Sequence, residues 1–214
     1  MKSSLILGYG STGHDIEQYL ISKNKNYLIH DDEKNISDKL KFNIESINNV
    51  DTIFVSPGVK KDHKILRMAS SSGIRVMTDI ELFNEENNVK IIGVTGTNGK
   101  TTFVTLLDKI LNKNGIKSKT AGNIGNSPIN LISDLIDLDY LILELSSFQL
   151  THMNKLNLET AVVLNIYQDH IDWHETFEEY IFSKLKIFSY TTNEDNNFLG
   201  PVDSQVNLDE ILPN

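Results

Sequence analysis

The sequence predicts an α/β protein made of two doubly wound units with mostly parallel sheets. Three observations predict this. Short apolar strand patterns alternate with helical patterns along most of the chain. Two glycine loops, at 8–13 and 96–99, each follow a strand pattern and open a helix pattern. The polar stretch Asn84-Glu-Glu-Asn-Asn88 lies between the two patterns and reads as a boundary. The expected domains are 1–86 and 87–190, followed by a divergent segment over 191–214.

In the first unit, Ser4-Leu-Ile-Leu-Gly8 is a buried-strand pattern and 14–23 a helix with Ile16, Tyr19 and Leu20 on its inner face. Between them stands Gly8-Tyr-Gly10-Ser11-Thr12-Gly13, a G-x-G-x-x-G in the strand–turn–helix context of Rossmann-like domains. Tyr27-Leu-Ile-His30 is a second strand ending in Asp31-Asp32, where an acid would bind ribose hydroxyls. The competing reading is tight strand–helix packing with no ligand. Residues 51–55 form a strand stopped by Ser56-Pro57-Gly58, 63–71 a helix ending near Gly73, and 74–77 a strand. Thr78 with Glu81 three residues on has capping-box spacing for a short helix over 78–83.

The second unit opens on the strand 89–94 and the loop Gly96-Thr97-Asn98-Gly99-Lys100-Thr101-Thr102. The glycines let the backbone bring N–H groups close to an anion, and the helix over 103–111 aims its N-terminus at the same point. Lys100 adds a point charge, and the Thr101 hydroxyl is placed to ligand Mg²⁺. The loop departs from the common G-x-x-x-x-G-K-[ST] phosphate loop, whose first glycine would fall on Val94. The bland alternative is an ordinary strand-to-helix turn. Gly115 fits the end of the helix, 117–120 is a short strand, 122–125 a glycine turn and 127–135 a helix. Strands at 140–144 and 160–165 and a helix over 175–187 follow. The segment 191–214, rich in Asn, Asp and turn residues, reads as a poorly ordered tail with room for a short element near 206–212.

Parallel sheets place ligands at strand ends. Glu144 ends its strand beside the presumed phosphates and would reach Mg²⁺ directly or through water, unless it merely caps the next helix. His170 follows another strand end, but a lone histidine is usually a polar core or surface residue, and Lys184 reads equally as a snorkelling lysine.

Several stretches in order resemble the Mur ligases and their folylpolyglutamate synthase relatives. They are Thr95-Gly-Thr-Asn-Gly-Lys-Thr-Thr102, Gly122-Asn123-Ile-Gly125, 143–150 with Glu144 and Ser146, Asn165-x-x-x-Asp-His-Ile-Asp172, and Ser183-Lys-Leu-Lys-Ile187. Ser56-Pro-Gly-Val59, Asp79-Ile-Glu-Leu-Phe83 and Glu144-Leu-Ser-Ser-Phe-Gln-Leu150 look most like the branch that adds D-glutamate to UDP-N-acetylmuramoyl-L-alanine in peptidoglycan precursor synthesis. The resemblance covers about 4–190 and implies an ATP-dependent amide ligase working through an acyl phosphate, with ATP and two Mg²⁺ ions. It implies that Gly96, Thr97, Asn98, Gly99, Lys100, Thr101 and Thr102 hold ATP, and that Thr101, Glu144, His170 and a carbamylated Lys184 ligand metal, with Lys100, Lys184 and His170 catalytic. It further implies that Gly8, Gly10, Ser11, Thr12, Gly13, Asp31, Ser56, Asn123 and Ser146 bind the UDP substrate.

Family members are longer, with the rest of the ATP domain and a third domain for adenine and D-glutamate. The expectation is therefore a fragment, a truncated product, or a chain whose missing C-terminal domain comes from a second chain, with an exposed edge on the central sheet. The alternatives kept open are another ligase of this superfamily, a non-catalytic nucleotide- or UDP-sugar-binding module, and an NAD oxidoreductase resting on the 8–13 loop alone.

Composition narrows these choices. A net charge of −9 argues against a nucleic-acid surface as the main activity. The absence of cysteine excludes disulfides, thiolate metal sites and a Cys nucleophile. No apolar run approaches the ~18 residues of a membrane span, so the expectation is a cytoplasmic chain.

Overall fold

The computed structural model describes residues 2–123, 127–204 and 206, with the backbone alone at 133–136. It is an α/β structure with two sheets, each purely parallel. By contacts the chain falls into two compact units. The first comprises Met1–Asn87, Ser127–Ser133 and Thr151–Asn154; the second comprises Asn88–Asn126, Asp134–Leu150 and Lys155–Asn214. The sequence reading had put 127–133 and 151–154 wholly in the second domain.

In the first unit, β1 (Ser3–Leu7), β2 (Tyr27–His30), β3 (Val50–Val55) and β4 (Arg75–Met77) lie in the order β2-β1-β3-β4. Side chains alternate across a strand, so neighbours in sequence enter different cores. Leu5, Leu7, Ile53 and Val55 pack with Ile65 and Ala69 of α2 (Lys64–Ser72). Ile6 and Phe54 face the other way, onto Ile16 and Leu20 of α1 (Ser11–Ser22). These strands are apolar on both faces because helices cover both. The strand order reverses between β1 and β3, so their carboxyl ends open a crevice. Helix α3 (Asp79–Glu86) starts with the expected capping box: Thr78 Oγ1 accepts from Glu81 N–H, and Glu81 Oε2 accepts from Thr78 N–H at 2.8 Å.

In the second unit, β5 (Lys90–Thr95), β6 (Ser118–Gly122), β7 (Tyr140–Glu144), β8 (Thr160–Val163) and β9 (Asn197–Leu199) lie in the order β6-β7-β5-β8-β9. Helix α4 (Lys100–Lys113) covers this sheet through Val104, Phe103, Leu107 and Leu111, packed on Val94 and Ile142. The chain then adds α5 (Ser147–His152), α6 (Ile171–His174) and α7 (Phe177–Leu185).

Four differences from the sequence reading have physical causes. Helix α1 begins at Ser11, because the last residues of the glycine loop already form its first turn. Residues Pro128–Asp137 form a 3₁₀ segment rather than an α-helix; Asn130, Ser133, Asp134 and Asp137 belong to the residue types that compete with the helical backbone for hydrogen bonds. The helix weighed as following Glu144 is the short α5, and like the short α6 it received no bounds from the sequence, since a turn or two carries no readable period. The segment expected to be a structureless tail contributes β9, which pairs with β8 through Ala161–Asn197, Val162–Phe198 and Val163–Leu199. The short element expected near 206–212 and the 124–125 half of the glycine turn lie outside the described residues. Among the described residues no helix is long and apolar enough to cross a membrane.

Candidate functional site

The loop after β5 turns through Gly96 (φ +154°) and Gly99 (φ +79°), the second being a left-handed position that favours glycine. A Cβ on Gly96 would lie 3.0 Å from Leu164 Cβ, so the loop also needs glycine to pass the end of β8. Helix α4 starts at Lys100, directing its unpaired N-terminal amides into the cup. A cavity of about 340 Å³ is lined by Thr97, Asn98, Gly99, Lys100, Thr101, Thr102, Asn123 and Glu144. Lys100 Nζ donates to Gly96 O at 2.8 Å and Thr97 O at 3.0 Å. Burial pulls its pKa below the usual lysine value, against the pull of the Glu144 and Asp169 carboxylates.

Glu144 is the end residue of β7 and only 2% exposed. Its Oε1 accepts from Asn123 Nδ2 at 3.1 Å, while Oε2 has no hydrogen-bond partner among the described residues. A buried carboxylate oxygen left bare is costly unless a cation completes it. Hard oxygens from Glu144 and Thr101 in one cavity are a donor set that fits Mg²⁺. Glu144 does not cap the next helix. Ser146 does: its Oγ accepts from Gln149 N–H at 3.2 Å and donates to Gln149 Oε1 at 2.9 Å.

Lys184 is 2% exposed on α7. Its Nζ donates to Gly96 O at 2.9 Å and sits 4.6 Å from the Tyr180 ring centroid. Burial first, then the Lys100 charge, push its pKa down to about 7, against the pull of Asp169. The snorkelling reading is thereby excluded: the ammonium is turned inward onto the glycine loop at Gly96. His170, with its side chain 47% exposed, places Nε2 3.5 Å from Asp169 and its ring 4.8 Å from Phe148. It is not among the residues lining the cavity that holds Lys100 and Glu144.

The structure brings in residues for which no individual role was read from the sequence. Asn165 Oδ1 accepts from Thr97 N–H at 3.1 Å and Asn98 N–H at 2.9 Å. Tyr180 OH meets Thr97 Oγ1 at 2.9 Å. Asp169 is the carboxylate that acts on both lysines. Asn165 and Asp169 were visible as strand-end polar residues, but nothing local said what they would touch.

The first unit holds its own crevice, a cavity of about 590 Å³ lined by the glycine loop, 30–34 and 56–60. Gly13 is fixed by packing, since a Cβ there would lie 2.5 Å from Gly8 O. Ser56 Oγ donates to Gly8 O at 2.7 Å and so supports the loop. Asp31, expected to bind ribose, has its oxygens engaged by backbone: Oδ2 accepts from Tyr9 N–H at 2.6 Å, and Oδ1 from Glu33 and Lys34 N–H at 3.0 and 2.8 Å. Burial opposes its ionisation, yet these bonds hold it below the usual carboxylate value. Its neighbour Asp32 is the freer carboxylate at the crevice, flanked by His30 Nε2 at 3.1 Å and His63 Nε2 at 3.2 Å. These three side chains bring ligand atoms within 4.8 Å of one another, a spacing a metal could use. However, His63 Nδ1 accepts from Ile65 N–H at 3.2 Å, capping α2. That places the ring proton on Nε2, aimed at Asp32. The trio is therefore a hydrogen-bonded carboxylate clamp.

A sequence profile of the Mur ligase middle domain matches residues 94–209, from inside β5 to beyond β9. The chain belongs to the Mur ligase family. A UDP-N-acetylmuramoylalanine–D-glutamate ligase of Thermotoga sp. (strain RQ2) is 33% identical over 194 residues, covering 84% of this chain and 45% of the relative. The ligase of the same name from Buchnera aphidicola subsp. Schizaphis graminum is 40% identical over 200 residues, covering 88% and 45%. The chain thus spans about half the length of the curated relatives it matches. A Mur-type structure from Neisseria meningitides, UDP-N-acetylmuramate:L-alanyl-gamma-D-glutamyl-meso-diaminopimelate ligase, superposes with a TM-score of 0.56 at 16% identity. It covers 99% of this chain and 74% of its own, a likeness of fold. The match to the Mur ligase profile runs past β9 to residue 209.

Proposed function

We propose that this Mur ligase chain carries the ATP-phosphate site and the UDP-substrate site of an enzyme that joins D-glutamate to UDP-N-acetylmuramoyl-L-alanine. One observation carries the chemistry: Lys100, the amides opening α4 and the bare oxygen of Glu144 face one cavity. Cation, helix N-terminus and unpartnered carboxylate together suit a Mg²⁺-nucleotide and little else. The D-glutamate specificity is supported by the names of the curated relatives.

In this reading ATP phosphorylates the muramoyl-alanine carboxylate, and the amine of D-glutamate then displaces phosphate to form the amide. Lys100 releases the loop carbonyls Gly96 O and Thr97 O and turns to the β/γ-phosphates. Thr101 and Glu144 would hold one Mg²⁺, and His170 with Lys184 as a carbamate would hold a second. Bound there, the ions would offset charge gathering on the transferred phosphoryl group. Lys184 suits its part because burial keeps much of the amine neutral near pH 7, the form that can take up CO₂. In the first unit the glycine loop, Ser56 and the 31–32 turn would hold the UDP moiety. Asp31 there shapes the loop while Asp32 faces the ligand.

The test is phosphate release from ATP with Mg²⁺, UDP-N-acetylmuramoyl-L-alanine and D-glutamate, using Lys100→Ala as control. Release that requires both substrates and Lys100 is expected of an active ligase. Release supported equally well by other amino acids would overturn the D-glutamate assignment. ADP binding with Mg²⁺ that survives Lys100→Ala unchanged would overturn the phosphate site.

A further inference from the structure

We infer that Asn165 is the positioning residue of the phosphate loop: its carboxamide turns the Thr97 and Asn98 amides away from the nucleotide and stations both lysines. The inference rests on reading 96–102 as the phosphate site. It names what that site needs from outside the loop.

The argument begins with the Asn98 and Thr97 backbone. Asn165 Oδ1 accepts from both amides, and Asn165 Nδ2 donates to Asn98 O at 3.0 Å. Asn165 O accepts from Thr97 N–H as well, at 3.0 Å. A carboxamide is suited to this because it accepts through oxygen and donates through nitrogen. Thr97 is anchored a second time by its hydroxyl. Oγ1 donates to Tyr167 O at 3.1 Å and accepts from Tyr167 N–H at 3.0 Å, which leaves one lone pair for Tyr180 OH at 2.9 Å. The hydroxyl is then fully used. Neither the Thr97 hydroxyl nor the Thr97 and Asn98 amides remain for phosphate, so that task falls to the amides opening α4.

The other half of the same peptide matters as much. In a trans peptide, N–H and C=O point opposite ways. With Thr97 N–H held by Asn165, the Gly96 carbonyl must face the other side, where Lys100 Nζ and Lys184 Nζ both donate to it, at 2.8 and 2.9 Å. One peptide plane thus links Asn165 to both lysines. Asn165 is itself braced from the segment that looked like a tail. Ile166 N–H donates to Pro201 O at 3.0 Å, and Asp203 N–H donates to Ile166 O at 2.8 Å. Gly200 lies so close that a Cβ would be 2.1 Å from Leu164 O.

The experiment uses the full chain with three readouts: ADP titration with Mg²⁺, UDP titration as a control on the first unit, and amide hydrogen exchange across 94–99. Asn165→Ala is expected to weaken ADP about tenfold, equivalent to about 1.4 kcal/mol, and to speed exchange at Asn98, with UDP affinity and melting temperature held. Thr97→Val should weaken ADP in the same direction and Thr97→Ser should restore it; this pair decides the matter if Asn165→Ala does not fold. Unchanged ADP affinity in Asn165→Ala, or in Thr97→Val, overturns the inference. Loss of ADP and UDP binding together in Asn165→Ala would mark general unfolding, and the Thr97 pair then decides. Failure of the wild-type chain to bind ADP would instead overturn the nucleotide reading, and unaltered exchange at Asn98 would then separately remove the hold of Asn165 on the loop.

Discussion

Lys184 shows how much a single residue can depend on its surroundings. Its pKa is about 7 in the fold against an ordinary 10.5, chiefly because burial penalises the charged form. Between those two values the folded protein binds fewer protons than the unfolded chain. Stability therefore rises with pH across that window, and the full burial penalty stands below about pH 7. Lys184→Met should stabilise the metal- and nucleotide-free protein near neutrality. Its advantage should shrink toward pH 10 by up to about 1.4 kcal/mol per pH unit. Urea unfolding at about pH 6.5 and about pH 9.5 would measure this; a stability gap that stays constant would show that Lys184 is not held in its uncharged form. At Glu144, Glu144→Gln should leave the Asn123 contact largely intact. It should nevertheless remove Mg²⁺-dependent tightening of ADP, because an amide oxygen is a weaker ligand than a carboxylate. Equal Mg²⁺ dependence in the two proteins would exclude Glu144 as a metal ligand.

At the scale of elements, caps and close approaches make testable differences. Thr78→Ala removes the bond that Thr78 Oγ1 accepts from Glu81 N–H and the one it donates to Glu81 Oε2, and should cost about 1 kcal/mol in unfolding free energy. Glu81→Ala should cost more than Thr78→Ala, because Glu81 is buried and its Oε1 also accepts from Asn154 N–H at 2.9 Å. Equal losses would mean that the second bond contributes nothing. Gly122 ends β6 with φ +108°, and a Cβ there would stand 2.3 Å from Glu144 O. Gly122→Ala should therefore disturb the strand end that carries Asn123 toward Glu144, and the reading is ADP affinity alongside thermal stability. An unaltered affinity would show that the β6 end is not part of the frame of the cavity lined by Lys100 and Glu144.

For the whole molecule, the sheet edges are the informative feature. Strand β9 covers β8, although it is three residues long and leaves Phe198 55% and Leu199 38% exposed. Ending the chain after Asn196 should bare the β8 edge, lower the unfolding midpoint and promote self-association, as an unpaired apolar edge does. It would also remove Pro201 and Asp203 from beside Ile166, so ADP affinity should fall with it. Light scattering and ADP titration of the shortened chain check this, and a monomer with undiminished affinity would show that 197–214 is dispensable.

The alternation of apolar strands with amphipathic helices was readable in the sequence because burial on both faces leaves a continuous apolar record. So were both glycine loops and the Thr78 capping box, since local backbone geometry demands particular residue types at fixed spacing. Lys100 and Glu144 were legible as candidate site residues from their positions at or just beyond strand ends, and the fold sets both on one cavity. Tertiary structure alone decided the rest. It committed Asp31 to three backbone amides and left Asp32 facing the crevice. It turned Lys184 inward and gave Ser146 to a helix cap. It set Asn165 against a loop 67 residues away and made a strand of a polar tail. Such pairings depend on which strand ends meet, and sheet order is set by packing between distant segments, not by the local pattern of any one of them.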